Sequence, residues 1–250
     1  MRPRAALPDL VYPVRAGENE ELRYSLRSVA AHADGLFRKV WIVGTGLPEW
    51  LTGVEIIEAG SAGGKAADVR AKIAAAASHS GVAPRFVLMT DDVFLVEPIT
   101  EWEAFHMGPT SIYVQHLATL KPALTVNNNK WVRSLVATAE WMAERGHGDI
   151  LCRQGHRPLL WDRRKLSKAL AEFPEDQQLD ILGLYDIAGA AGEGRLAGNA
   201  KVVNDPKAFH QKLAELDIPW LSSNDRSFAE GMIGGYIRGM FRTPCRFESD

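Results

Sequence analysis

Four short apolar runs, at residues 10–14, 39–43, 54–57 and 86–90, alternate with two stretches of helical periodicity. This alternation restricts the fold more than any other feature of the chain. Its order reads β-α-β-β-α-β, the pattern of an open α/β sheet with helices on its faces. The run Phe86-Val87-Leu88-Met89 is apolar on both faces, as expected of a strand at the centre of a parallel sheet. Pro13 ends or bends the first strand. The first helix is expected after Asn19 as its cap, with Glu20 and Glu21 in the first turn and Leu22, Leu26, Val29, Ala30 and Ala33 along one face. The second helix, rich in alanine, is expected over residues 65–78.

The second half is less regular. The residues predict strands at 111–115 and 159–161, and helices at 130–145, 162–173, 177–188, 206–216 and 228–241. The Gly-rich stretch 188–200 is expected to be the most mobile loop. No repeat or low-complexity linker divides the 250 residues, so a single domain over 1–250 is expected, with a mostly helical C-terminal half. The net charge of −2 gives no basic field for nucleic acid. Two cysteines, Cys152 and Cys245, are too few for a disulfide framework. The N-terminus carries no long apolar core of a signal peptide, and no apolar run approaches the ~20 residues of a membrane span. A soluble, cytoplasmic protein is the expectation.

In open α/β sheets ligands bind at the carboxyl ends of the strands. The stretch RFVLMTDDVFL places Asp91 and Asp92 at such an end, between two apolar segments. Adjacent aspartates after a strand also cap turns and helices. Charges enclosed by apolar chain need a partner, however, and a divalent cation is an efficient one for carboxylate oxygens. Consecutive residues of extended chain point to opposite faces. Asp92 is therefore expected to ligate a metal directly, and Asp91 to hold a metal-bound water or a sugar hydroxyl. Mg²⁺ or Mn²⁺ in such a place serves diphosphate chemistry.

The stretch AGSAGGKAAD is not a P-loop: Ala59 takes the first glycine position and Ala66 the Ser/Thr position. Lys65 and Arg70 are either phosphate contacts or solvated helix charges. His156 is a possible metal or phosphate ligand. Asn224 and Asp225 either cap the last helix or act in catalysis. Asp149, Asp162, Asp225 and Glu230 stay open as general base.

The segment NEELRYSLRSVAAHADGLFRKVWIVGTGLPEWL, followed by RFVLMTDDVFL, resembles the Stealth-type sugar-phosphate transferases. GHRPLLWDRRKLSKALAEFPE, SSNDRSF and CRFE resemble their later segments. The resemblance implies a GT-A-like nucleotide-sugar fold with a divalent metal at Asp91 and Asp92. It matches His156 to the family's functional histidine, Asn224 and Asp225 to its late Asn-Asp pair, and Asn19 and Arg23 to its first helix. Two positions depart from that family. Its first-strand acidic segment is Tyr12-Pro13-Val14-Arg15-Ala16-Gly17-Glu18 here, and its Asn before the aspartate pair is Thr90.

Taken together, the residues and the resemblance predict a metal-dependent glycosyltransferase using a nucleoside-diphosphate sugar, UDP-sugar first, with a protein or glycan acceptor left open. The donor half is residues 9–100 and the acceptor-side half residues 101–250. Tyr12, Val14 and Arg15 are expected to line the base and ribose pocket, and Asn19, Arg23, Lys65, Arg70, Asp91 and Asn224 to complete the donor site. Asp92, Asp225 and His156 are the expected catalytic residues, and Asp92, Asp91 and His156 the expected ligands of Mn²⁺ or Mg²⁺. The alternatives are sugar-1-phosphate transfer, releasing a nucleoside monophosphate, and a non-catalytic nucleotide-sugar-binding module.

Overall fold

In the computed structural model, which describes residues 7–60, 63–174, 178–201, 206–214 and 219–249, the first strand takes the middle of the sheet. β1 (Asp9–Pro13) is followed by α1 (Glu20–His32), β2 (Val40–Val43), β3 (Glu55–Ile57), α2 (Lys65–Ser78) and β4 (Arg85–Leu88). The chain winds outward from β1 through β2 to β3, then returns to place β4 on the other side of β1. These four strands are parallel. A later strand, Leu159–Asp162, adds antiparallel to β4 and closes that side. The result is an open mixed sheet flanked by helices, as the alternating pattern requires.

Burial explains the winding. Alternation along β1 sends Val11 to one face and Leu10 and Tyr12 to the other, and all three are fully buried. Leu22, Leu26 and Val29 of α1 cover the face of Leu10 and Tyr12. Ile73, Ala76 and Ala77 of α2 cover the face of Val11, together with Leu166 and Ala169. A strand covered on both faces cannot alternate apolar with polar residues, which is why the central runs are continuously apolar.

The second half begins with β5 (Val93–Leu95), β6 (Phe105–His106), α3 (Thr110–Leu120) and α4 (Lys130–Ala143). It continues with β7 (Leu159–Asp162), α5 (Arg163–Glu172), a 3-10 turn (Ile181–Leu184), α6 (Tyr185–Ala188) and β8 (Arg195–Leu196). It ends with α7 (Pro206–Ala214), β9 (Trp220–Ser222), α8 (Asp225–Glu230) and α9 (Met232–Met240). β5 pairs antiparallel with β9, and β6 pairs parallel with β8.

Four expectations are corrected here. Residues 111–115 are helical: the β-rich run Ser-Ile-Tyr-Val-Gln is overridden because Tyr113 and Leu117, one helical turn apart, pack on Leu135 and Trp131 of α4. The helix expected over 228–241 is two helices broken at Gly231, and α9 folds back so closely that a Cβ on Gly234 would lie 1.7 Å from the Phe228 carbonyl oxygen. The Gly-rich stretch is not wholly loop, since Arg195 and Leu196 pair with β6. The helix expected over 177–188 is a 3-10 turn and α6, and residue 177 lies outside the described residues, as do 215 and 216 at the end of α7.

At the amino end of the sheet, Asp9 is fully buried and accepts four hydrogen bonds. Arg38 donates two (2.8 and 2.7 Å), Trp41 Nε1 one (2.8 Å) and the Ala83 amide one (2.8 Å). One carboxylate thereby fixes the starts of β1, β2 and β4. Asp9→Ala leaves the Arg38 guanidinium and the Trp41 indole without their acceptor. The expected loss is about 3 kcal/mol, read as a lowered urea midpoint at unchanged slope.

Candidate active site

The sheet order puts the switch point between β1 and β4, and ligands of open α/β sheets bind in the crevice beyond the carboxyl ends of such strands. Two turns enter that crevice. After β1, the Val14 amide bonds the Val43 carbonyl (3.0 Å) and the Gly17 amide the Gly46 carbonyl (3.0 Å), so the loop rides on the one after β2. The two loops approach so closely that a Cβ on Gly44 would lie 2.4 Å from the Val14 carbonyl oxygen. Asn19 is not a side-chain cap: it adopts φ 44° and its amide donates to the Arg15 carbonyl (2.5 Å), holding the loop instead of the helix. After β4, the Met89 amide bonds the Val11 carbonyl (2.9 Å) and the chain turns through Asp91 and Asp92. The Thr90 hydroxyl donates to Asp92 (2.7 Å).

Distant segments complete the crevice by lying side by side. The Ser223 amide bonds the Asp92 carbonyl (2.9 Å), the Ser222 amide the Ala200 carbonyl (3.0 Å), and the Ala200 amide the Gly155 carbonyl (2.9 Å). His156, Lys201 and Ser223 are thereby brought to the aspartate pair. Lys201 Nζ stands 3.9 Å from Asp92. The Ser223 hydroxyl donates a short hydrogen bond to Glu21 in the first turn of α1. Arg15 spans the mouth to Asp225 (3.3 Å).

His156 is held in the left-handed region at φ 50°, a conformation that a non-glycine residue keeps only when its surroundings enforce it. Its neighbours supply the constraint. Arg153 is buried and donates to the carbonyls of Phe105 (2.8 Å) and Glu193 (2.7 Å), and to Asp186 (3.2 Å). Gln154 donates to the half-buried Asp180 (2.7 Å), whose carboxyl desolvation pushes up to about 6.

Four carboxylates, Glu21, Asp91, Asp92 and Asp225, share this end of the sheet. Burial, then the neighbouring Asp92, push Asp91 up to about 6 against the pull of Arg15. Burial pushes Glu21 up to about 7, with Asp92, Asp91 and Asp225 adding to it against the Ser223 hydrogen bond. Burial and the Lys201 ammonium hold His156 down to about 4, with Lys65 adding to the effect and Asp92 opposing it. The imidazole is thus neutral at pH 7, with a nitrogen lone pair available.

Not every expected residue reaches the crevice. Tyr12 and Val14 are fully buried and present no surface to a nucleotide, because β1 is covered on both faces; of that expected trio only Arg15 is exposed. The Tyr12 hydroxyl instead meets Ser25 (3.3 Å), and burial raises its pKa well above the ordinary range. Arg70 sits over the Phe173 ring (5.8 Å). Arg23 sits over the Trp50 ring (4.6 Å) and 3.6 Å from Glu248. Asn224 is occupied as the cap of α8, accepting from the Ser227 amide (2.8 Å). Among the four residues left open as general base, Asp149 accepts from Ser111, Asp162 caps α5 and Glu230 meets Arg226, whereas Asp225 stands at the crevice mouth.

Glu21, Ser223 and Lys201 were not singled out from sequence. A signal existed for Glu21: Ser25 and Ser28, at i+4 and i+7, are both fully buried, so the inward side of α1 carries a polar row that begins at Glu21. Lys201 follows a glycine-rich segment whose pairing is set only by tertiary contacts.

A cavity of about 1330 Å³ opens at the opposite end of the sheet, beside Pro8 and Arg85. Its charges are matched: Arg38 lies on Asp9, Arg195 on Glu103 and Arg246 on Asp34. Size favours that cavity. Unbalanced charge and the switch point favour the crevice, and they decide, because a functional site needs groups left over for a ligand.

Among the described residues, no three His, Cys, Asp or Glu side chains converge into a metal site made of protein alone. The donor set is nevertheless right for a hard cation. Two adjacent carboxylates under mutual repulsion suit Mg²⁺ or Mn²⁺ that takes its other ligands from water and phosphate.

No family model and no curated protein matches the chain, so the resemblance to the sugar-phosphate transferases gains no support there. Among solved structures, the chain is similar to the galactosyltransferase LgtC in complex with donor and acceptor sugar analogues: 13% identity, TM-score 0.44, 95% of this chain and 98% of that one. It is also similar to two structures of the glycosyltransferase GlyE of Streptococcus pneumoniae TIGR4, at 10% and 11% identity and TM-scores of 0.41 and 0.42. There it covers 95% of this chain but only 61% and 60% of GlyE.

The raised pKa values set the sign of a pH effect. Glu21 and Asp91 bind protons more tightly folded than unfolded. Their contribution to stability is complete below about pH 4 and is lost as pH rises through about 6 to 7. Glu21→Gln removes the Glu21 part. Its urea midpoint, compared with the unsubstituted chain, is expected to move in the variant's favour between about pH 5 and about pH 8.

Proposed function

We propose that the chain is a glycosyltransferase that takes a nucleoside-diphosphate sugar in the crevice between the carboxyl ends of β1 and β4. The observation that carries this reading is the unbalanced charge there. Glu21, Asp91, Asp92 and Asp225 meet there with Lys201 3.9 Å from Asp92 and Arg15 3.3 Å from Asp225, and burial with the neighbouring Asp92 pushes Asp91 up to about 6 and Glu21 up to about 7. Asp91 and Asp92 are the residues that would hold Mn²⁺ or Mg²⁺. Such an ion would supply positive charge to offset that developing on the diphosphate leaving group.

The chain's own groups have separate tasks. Lys201, 3.9 Å from Asp92, and Lys65, first residue of α2, bring positive charge to the same place, and the amino end of α2 adds the favourable pole of its dipole. Neutral His156 offers a lone pair without adding charge to the site. Thr90 fixes the Asp92 carboxylate. The Ser223 hydrogen bond holds Glu21 in place beside the aspartates. Arg15 and Asp225 join the donor half to the acceptor-side half across the mouth, where a sugar acceptor has to enter. Asp225 is the carboxylate that would take the acceptor's proton as general base. The largest catalytic contribution is electrostatic, from fixed charges aimed at the departing diphosphate.

A donor screen with Mn²⁺, reading the released nucleotide, tests the reading. Release of a nucleoside diphosphate supports glycosyl transfer. Release of a monophosphate points instead to sugar-1-phosphate transfer, and calorimetric binding without turnover to a non-catalytic module. Asp92→Asn is expected to lower kcat about 10²–10³-fold with an unchanged unfolding midpoint. Full activity in EDTA-treated buffer overturns the metal-dependent reading.

A further inference from the structure

The surface of the α3–α4 hairpin differs from the rest of the chain. The protein has 31 acidic residues in 250, yet none lies between Glu103 and Glu140. That stretch contains α3, its connection to α4 and most of α4. It carries Lys121, Lys130 and Arg133, and among the described residues none of the three forms an ion pair. Arg133 instead donates to the Val126 and Asn127 carbonyls (3.4 and 3.2 Å), bracing the connecting turn while its charge stays uncompensated.

Exposed apolar groups collect on the same element. Ile112 is 60% exposed, Leu120 63% and Val126 38%, and Lys121, Pro122 and Ala123 at the tip are exposed as well. Ile112 stands apart, with the exposed polar Gln115, His116 and Thr119 between it and Leu120, so the exposed apolar groups gather at the tip, at Leu120, Pro122, Ala123 and Val126. Of the acids that bound the stretch, Glu103 pairs with Arg195 and Glu140 lines the cleft between the helices at the base together with Asp149. The base rests on the segment that carries His156: Trp131 Nε1 donates to Gln154 (3.4 Å), and Tyr113 and Cys152 share a core with Leu135.

We infer that the α3–α4 hairpin is a docking surface for an anionic lipid membrane. The apolar tip inserts at the headgroup boundary, and Lys121, Lys130 and Arg133 meet the acidic headgroups. Neither signal suffices alone, but apolar insertion and cationic attraction together hold a peripheral protein. An acid-free cationic surface with an apolar tip matches the uniform negative charge and apolar interior of an anionic bilayer. Among the described residues no helix is long and apolar enough to cross a membrane, so the contact is peripheral. A crevice whose rim rests on a bilayer meets acceptors presented at that bilayer.

The test is flotation of the full chain with vesicles of phosphatidylcholine, and of phosphatidylcholine mixed equally with phosphatidylglycerol. The chain is expected to float with the anionic vesicles and not the neutral ones, and to be released by salt. Lys121→Ala and Lys130→Ala should each lower vesicle affinity about fivefold. Leu120→Asp should lower it more than tenfold. These side chains are exposed, so circular dichroism and the urea midpoint should not change, which separates lost docking from lost folding. Three outcomes overturn the inference: no flotation with anionic vesicles, flotation that Leu120→Asp leaves intact, or a dimer dissolved by Leu120→Asp in a chain that does not float. Flotation is read without sugar nucleotide, and transfer to a soluble acceptor without vesicles, so failure of one leaves the other standing.

Discussion

The whole architecture depends on how β1 ends. At its amino end, Asp9 is buried and accepts from Arg38, Trp41 and the Ala83 amide, so the starts of three strands are tied to one carboxylate. At its carboxyl end, the neighbouring carboxylates have no comparable set of donors. A buried charge is tolerated when its hydrogen bonds and counter-charge are complete, and is costly when they are not. The same residue type is therefore fully paired at one end of the strand and short of partners at the other. Position in the sheet decides which, because the carboxyl ends of β1 and β4 diverge at the switch point and the amino ends are closed over by Arg38 and Trp41.

Most of the first half was legible in the sequence. Four apolar runs bounded by turns, and two helices with clear periodicity, leave little choice when the central strands β1 and β2 are buried on both faces. The α2 boundaries, Lys65–Ser78, coincide with the expectation because alanine propensity and the preceding glycines act in the same direction. The second half was harder for a physical reason. Its elements are short and held by contacts between residues far apart in the chain. The pairing of β5 with β9 joins residues more than a hundred positions apart, and no local pattern in Val93-Phe94-Leu95 specifies Trp220-Leu221-Ser222 as its partner. At α3, local preference favoured a strand and packing against α4 prevailed.

The same division explains which site residues could be read. Asp91 and Asp92 are visible because the charge pair interrupts apolar chain. His156 was carried by resemblance, and its left-handed backbone supplies an independent reason to single it out. Lys201 and Ser223 have no local signature, since the backbone bonds that run from Gly155 through Ala200 and Ser222 to Asp92 are wholly tertiary. Tyr12 and Val14 misled because a strand end looks accessible in sequence, whereas both side chains point into a layer covered by α1.

The crevice is therefore assembled from both halves of the chain and is electrostatically incomplete once assembled. Arg15 and Asp225 are separated by 210 residues and both are exposed, so their ion pair adds little to stability. Glu21 and Asp91, in contrast, oppose folding as they ionise, and the buried Arg153 and half-buried Asp180 anchor the segment that holds His156 against local backbone preference. An unliganded protein carries this repulsion as a local destabilisation. A ligand of opposite charge held there would relieve it, and its binding would be linked to local order at the contact between the two halves. That coupling requires no moving domain. It follows from placing four carboxylates where three lysine and arginine side chains do not balance them.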